Sequence, residues 1–410
     1  MLFHHKDLNL LHIPKGIRLI SWATAIRFAG WGFVEIFIPI FLLSFVHNYA
    51  EVGVLRSVYD VVFLLALPVV SRLADRVPSK KIILSGLALY PLIALCYFYS
   101  GVFGAISLLI VARFINGISY ALDSVGKRTY MRRNAHGRIG IIFGYFDTLA
   151  NFWWLAAAVV GLFLINTFPL HKLFLFIVPT TLVAMFLVWL LPRERKTRVE
   201  HEERFKISRL FKEVYVDYKQ LFSFIKHWNL EQKYTAVLYG FVSTIFILIA
   251  FFLPLISFTE NKSYTAVFLL SAFAVLPFIF GVPIGFLSDK AGPKGVRRVI
   301  FASVCLLLFL PFTSSLFVQL VLVFLISVCA YYAMLALERS ATIHETQAHM
   351  GSLSGAFLSV AQLSQIISPI LIGFFIDEIS LIFTISILSI IGLLLIVPLY
   401  IFDIKIFKKS

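Results

Sequence analysis

Apolar positions along this chain come in long runs, and short polar or basic stretches punctuate them. Runs of about 18 or more residues match the length an α-helix needs to cross a bilayer's hydrocarbon core. Read this way, the chain divides into twelve spans. They cover 18–46, 51–74, 81–100, 104–126, 138–165, 172–191, 234–258, 264–288, 297–314, 315–338, 351–377 and 380–402. Several exceed the minimum and have length to tilt. The expected fold class is an all-α membrane protein with 12 transmembrane helices. The same pattern sets the organisation: an N-terminal segment over 1–17, six helices over 18–191, a long loop over 192–233, six more over 234–402, and a tail over 403–410.

Charge sharpens the topology. The 36 Lys and Arg fall almost wholly in alternate loops and at the two termini. The intervening loops hold only Lys172 and Lys262, and Arg27, Arg56 and Arg113 lie within spans. By the positive-inside rule both termini are expected in the cytoplasm, with a bacterial inner membrane as the setting. The net charge of +15 does not signal nucleic-acid binding, because the charges sit between apolar runs and not along one face of a soluble domain. With 60% hydrophobic and 14% charged residues, lipid must be the solvent. The partners expected from the sequence are the bilayer and a small molecule, with the chain acting as a monomer.

The long loop begins with a dense charge run, Arg193 to Arg204. It continues with Leu210, Val214, Tyr218, Leu221, Phe222 and Ile225 on one helical face and lysines among the rest. That pattern fits either a basic amphipathic helix on the inner leaflet or a solvated linker. The N-terminus carries no cleavable leader pattern. Cys96, Cys305 and Cys329 sit in apolar runs without metal-type or paired spacing, so no metal, cofactor or disulfide framework is expected. Gly126-Lys127 lacks the rest of a phosphate-binding loop, which leaves neither an ATP-driven nor an enzymatic reading.

The two halves repeat each other. Arg72-Leu73-Ala74-Asp75-Arg76 closes helix 2, and Gly285 to Lys294 closes helix 8, with Asp75 and Asp289 214 residues apart. Ala121-Leu122-Asp123 ends helix 4 and Ala336-Leu337-Glu338 ends helix 10, 215 residues on. A shared offset predicts two pseudo-symmetric six-helix bundles. The 285–294 stretch resembles the loop motif G-x-L-x-D-[RK]-x-G-[RK]-[RK] of the major facilitator superfamily, and 72–81 resembles a degenerate copy. Arg113-Phe114-Ile115-Asn116-Gly117 resembles that superfamily's R-x-x-x-G motif. The resemblance implies that helices 1, 4, 7 and 10 line a central path. It also implies that Asp75, Arg76, Asp123, Asp289, Lys290 and Glu338 latch the cytoplasmic ends. The drug:proton antiporter branch is suggested too, although helix 5 has Gly140, Gly144 and Gly161 without that branch's Gly-Pro.

Ionisable residues inside spans are costly and point to function. Here they are Arg27, Glu35, Arg56, Asp60, Arg113 and Asp147, all in the first half. Glu35 is expected to carry the coupling proton, with Arg113 modulating it and Asp147 as the second candidate. Arg56 and Asp60, four apart, suit a local ion pair. The expected cavity adds Arg27, Trp31, Asn116, Tyr120 and Asn151 from the first half, and Tyr239, Phe246 and Tyr331 from the second. Two functions fit this inventory. One is proton-coupled efflux of an apolar or cationic compound; the other is proton symport of a metabolite such as an organic anion or sugar.

Overall fold

The computed structural model describes residues 13–134, 139–192, 226, 228, 230–289, 293–313, 315–343 and 350–401. Every regular element among them is helical. The first half comprises α1 (Lys15–Leu43), α2 (Tyr49–Arg76), α3 (Ser79–Phe103), α4 (Ile106–Asn134), α5 (Ile139–Ile165) and α6 (Leu170–Trp189). The second comprises α7 (Gln232–Asn261), α8 in the pieces Tyr264–Val275, Leu276–Phe280 and Gly281–Asp289, α9 (Pro293–Phe309), α10 (Leu316–Ile343), α11 (Met350–Glu378) and α12 (Leu381–Ile401). Among the described residues, nine stretches are long and apolar enough to cross a membrane, and Tyr264–Phe280 and Leu381–Val397 are shorter apolar helices. The amphipathic pattern over 206–226 lies outside the described residues apart from Lys226.

Local chemistry explains where these helices break. Pro39 has no N–H, and its ring opposes the carbonyl four residues earlier, that of Glu35. The ladder gives way there: α1 runs as an α-helix over Lys15–Gly32, tightens to a 3-10 turn over Glu35–Phe37 and resumes over Ile38–Leu43. Pro254 stands 215 residues on and does the same to α7, which loosens into a π-turn over Leu248–Phe252. Helix starts repeat with the same offset. Asn48 and Ser263 cap α2 and α8, accepting from the N–H of Glu51 at 2.8 Å and of Ala266 at 3.3 Å. These marks extend the internal duplication beyond the loop motifs.

Packing repeats as well. In the first half α1 packs on α5, α2 on α4, and α3 on α6; in the second α7 packs on α11, α8 on α10, and α9 on α12. The halves meet along α2 with α11 and α5 with α8. We call the end where α1 starts and α2 finishes the basic end, and its opposite, where Tyr49 and Glu378 lie, the far end. At the far end the halves are tightly joined. A Cβ on Gly53 would overlap the backbone of Pro369, and one on Gly373 would overlap the backbone of Tyr49. The Tyr49 hydroxyl lies 2.8 Å from that of Thr259, and the rings of Phe37 and Tyr264 meet edge to face.

Candidate functional site

A cavity of about 230 Å³ lies between the halves. Its wall is made by Arg27, Phe28, Trp31, Glu35, Ile38 and Pro39 of α1, Arg56 and Tyr59 of α2, Tyr90 of α3, and Arg113, Asn116 and Tyr120 of α4. Among the described residues, Phe251 alone comes from the second half, delivered by the π-turn of α7. Such turns are frequent where a side chain must be re-aimed at a functional site. The cavity therefore holds three guanidiniums and one carboxylate from the described residues, framed by aromatic rings.

Glu35 sits in the 3-10 turn that Pro39 forces on α1. Its Oε2 accepts the indole N–H of Trp154 from α5 at 2.6 Å. Asp147 and Asn151 precede Trp154 on the same α5 face, because seven residues bring a helix nearly back to register. Asn151 donates to the Asp147 carbonyl at 2.8 Å. Neither residue is part of the cavity wall, so the Asp147–Asn151 stripe continues from Trp154 toward the basic end.

The guanidiniums differ in how fully they are engaged. Arg113 donates to the carbonyl of Leu55 at 3.3 Å, the carbonyl of Arg56 at 2.7 Å and the hydroxyl of Tyr97 at 3.4 Å, fixing α4 to α2. Arg27 donates to the Tyr90 hydroxyl at 3.0 Å. Its Nε lies 3.2 Å from Asp123 Oδ2, an ion pair without hydrogen-bond alignment. Arg56 makes one long bond among the described residues, 3.4 Å to Gln365 of α11, and lies over the Phe251 ring at 4.7 Å.

Several expectations are corrected here. Asp123, expected in the cytoplasmic latch, meets Arg27 and Lys127 among the described residues. It is fully buried between Arg27 and Lys127, whose Nζ donates to it at 2.7 Å, because residue 127 lies one turn further along the same face of α4. Arg56 and Asp60 do not close on each other. Gln362 of α11 donates to Asp60 at 2.9 Å, so both charges of α2 bond a glutamine of the other half. Tyr239, Phe246 and Tyr331 are not in the wall: Tyr239 is buried in the core, and Phe246 and Tyr331 pack on Phe278 with ring centroids at 5.3 and 4.4 Å. The side chains of Asp75, Asp289 and Glu338, and all of Lys290, lie outside the described residues; Arg76 is exposed at the basic end. Among the wall residues, Phe28, Ile38, Pro39, Arg56, Tyr59, Tyr90 and Phe251 were missed as cavity residues. Only the prolines at 39 and 254 hinted at where the broken turns aim their neighbours.

Two helical halves, broken helices at the centre and a charged cavity between them define a membrane transporter that works by alternating access. The family model described as Major Facilitator Superfamily matches residues 20–369, and the chain belongs to that family. No curated protein sequence matches it. Among solved structures it is similar to the nucleoside transporter NupG, with a TM-score of 0.71 and 15% identity over 97% of this chain and 100% of that one. A structure of a NupG point mutant gives 0.72 and 13% over 96% and 100%. The human organic anion transporter MFSD10 (TETRAN) gives 0.66 and 13% over 94% and 99%.

Proposed function

We propose that this transporter couples protons to the movement of a small polar metabolite, with Glu35 as the proton-carrying group and symport as the mode. The observation that carries the proposal is the position of Glu35: among the described residues it is the only carboxylate in the cavity wall, opposite Arg27, Arg56 and Arg113. Tyr59, Tyr90 and Tyr120 complete the titratable wall, and Asp60 and Asp123 stand behind it on α2 and α4. Protonating Glu35 removes the one carboxylate charge that the described wall sets against its three guanidiniums, which draws a negatively polarised substrate into the cavity. Proton and substrate then favour each other's binding, which is the thermodynamic requirement for symport.

Efflux of an apolar or cationic compound has weaker support, since three guanidiniums repel a cation. The volume also falls below the roughly 300–1,000 Å³ of sites for drug-sized ligands. The solved neighbours are named for nucleosides and organic anions, but likeness at 13–15% identity carries fold and not cargo. The distribution of Lys and Arg supports cytoplasmic placement of the basic end and of both termini.

The test is reconstitution into liposomes with an imposed pH gradient, measuring uptake of labelled organic acids, nucleosides and organic cations. The parent protein is expected to accumulate a cargo along the gradient. Glu35→Gln is expected to exchange that cargo without accumulating it. Equal gradient-driven accumulation by both would remove Glu35 from the coupling role.

A further inference from the structure

The geometry points to Arg56 as the anchor for an anionic group on the substrate, a carboxylate or its equivalent, held at the seam between the two halves. The inference rests on the transporter reading above and names its substrate class.

A guanidinium has five N–H donors in a planar fork and stays charged. Among the three in the cavity wall, Arg113 spends its donors on two backbone carbonyls and a tyrosine hydroxyl. Arg27 has a buried carboxylate beside it. Arg56 has neither among the described residues. Its one hydrogen bond there is long and goes to a neutral amide, its Nε has no acceptor, and its remaining contact is the face of Phe251. Asp60, the nearest acid on its own helix, accepts from Gln362 and attracts Arg56 without bonding it, and one of its oxygens is left without a donor among those residues.

Arg56 is only partly buried and lines the cavity, so its unused donors are available to an acceptor that enters there. A carboxylate entering the cavity supplies two parallel acceptors for the fork. Phe251 and Tyr59 line the same cavity, so aromatic surface is at hand for a planar body attached to that carboxylate.

The position adds a second property. Gln365 and Phe251 belong to the second half and Arg56 to the first, so a ligand on Arg56 replaces a contact between halves by a contact to cargo. Gln365 lies four residues before Pro369, where the α11 ladder is already weakened.

The test uses three probes of one shape and different charge: benzoate, benzamide and benzamidine. Each is added at millimolar concentration to the purified full-length protein, and thermal stabilisation is read as binding. Benzoate is expected to stabilise the parent and benzamidine is not, with benzamide between them. Arg56→Gln should weaken benzoate by about tenfold or more, the scale of a hydrogen bond to a charged group, and Arg56→Lys by less. Gln365→Leu should leave benzoate affinity equal or higher, since it removes only the competitor. Equal shifts from all three probes, a larger shift from benzamidine, no shift from benzoate, or unchanged benzoate affinity in Arg56→Gln would overturn the assignment. Failure of the proton reading is separable: Glu35→Gln is expected to keep the preference for benzoate whatever it does to gradient-driven uptake.

Discussion

Asp377 caps a helix that belongs to the other half of the protein. Its carboxylate oxygens accept from the N–H of Tyr49 at 3.0 Å and of Ala50 at 2.7 Å, at the first turn of α2. A carboxylate at a helix start meets both unpaired amides and the positive end of the dipole. The bond thus fastens the tip of α11 to the tip of α2 and holds the far end shut.

Replacing Asp377 by Ala should therefore loosen that end by about 1–2 kcal/mol. With Cys96, Cys305 and Cys329 replaced, a cysteine at Thr259 should react several-fold faster with a polar thiol reagent in the Asp377→Ala background. An unchanged rate would mean that the cap contributes nothing to closure.

The Gly53–Pro369 and Gly373–Tyr49 approaches set a steric condition on the same closure. Gly53→Val places two methyls and a Cβ where the Pro369 backbone stands, at a cost of about 1–3 kcal/mol or more. The variant is expected to fold with its far end open and to lose most transport. Accessibility of a cysteine at 259 reads the opening directly, and wild-type transport rates would contradict the prediction.

Asp123 lies between two buried cations, Arg27 and Lys127. Asp123→Ala leaves both without that carboxylate and should cost about 3–5 kcal/mol, seen as a lowered Tm of the purified protein. Lys127→Met added to it should recover part of the loss, since one of the two stranded charges is then gone. A double-mutant cycle with purely additive effects would argue against coupling between the pair.

Trp154 positions Glu35 through a single indole N–H. Trp154→Phe keeps most of the ring's bulk and removes the donor, so gradient-driven uptake should fall by roughly tenfold while Tm changes by little. Loss of stability without a selective loss of coupling would make Trp154 a packing residue only.

The spans were readable because a bilayer demands long apolar helices, and that demand leaves a plain mark on composition. The convergence of Glu35 and Arg113 was readable too, since few charges are tolerated in a span and each has few places to go. Partner choice was not. Asp123 looked like a loop-facing acid because its position at a helix end says nothing about α1, whose Arg27 reaches it from the neighbouring helix. Arg56 and Asp60 looked like a pair because four residues make one turn, yet Gln362 and Gln365 compete from α11. Tyr239, Phe246 and Tyr331 share polar or aromatic character with true wall residues, and a helical wheel cannot tell a ring aimed at Phe278 from one aimed at a cavity. The wall residue from that half, Phe251, was hidden because its direction depends on a π-turn, which shifts the helical phase that a wheel assumes constant.

Phe251 is also, among the described residues, the lone contribution of the second half to a cavity otherwise furnished by the first. The groups proposed to carry the proton and to anchor the cargo's charge, Glu35 and Arg56, thus stand on one half, and the other half meets them with a neutral ring. A substitution at Phe251 reshapes the wall while every ionisable group in it stays in place, so the cavity's shape can be varied apart from its charge.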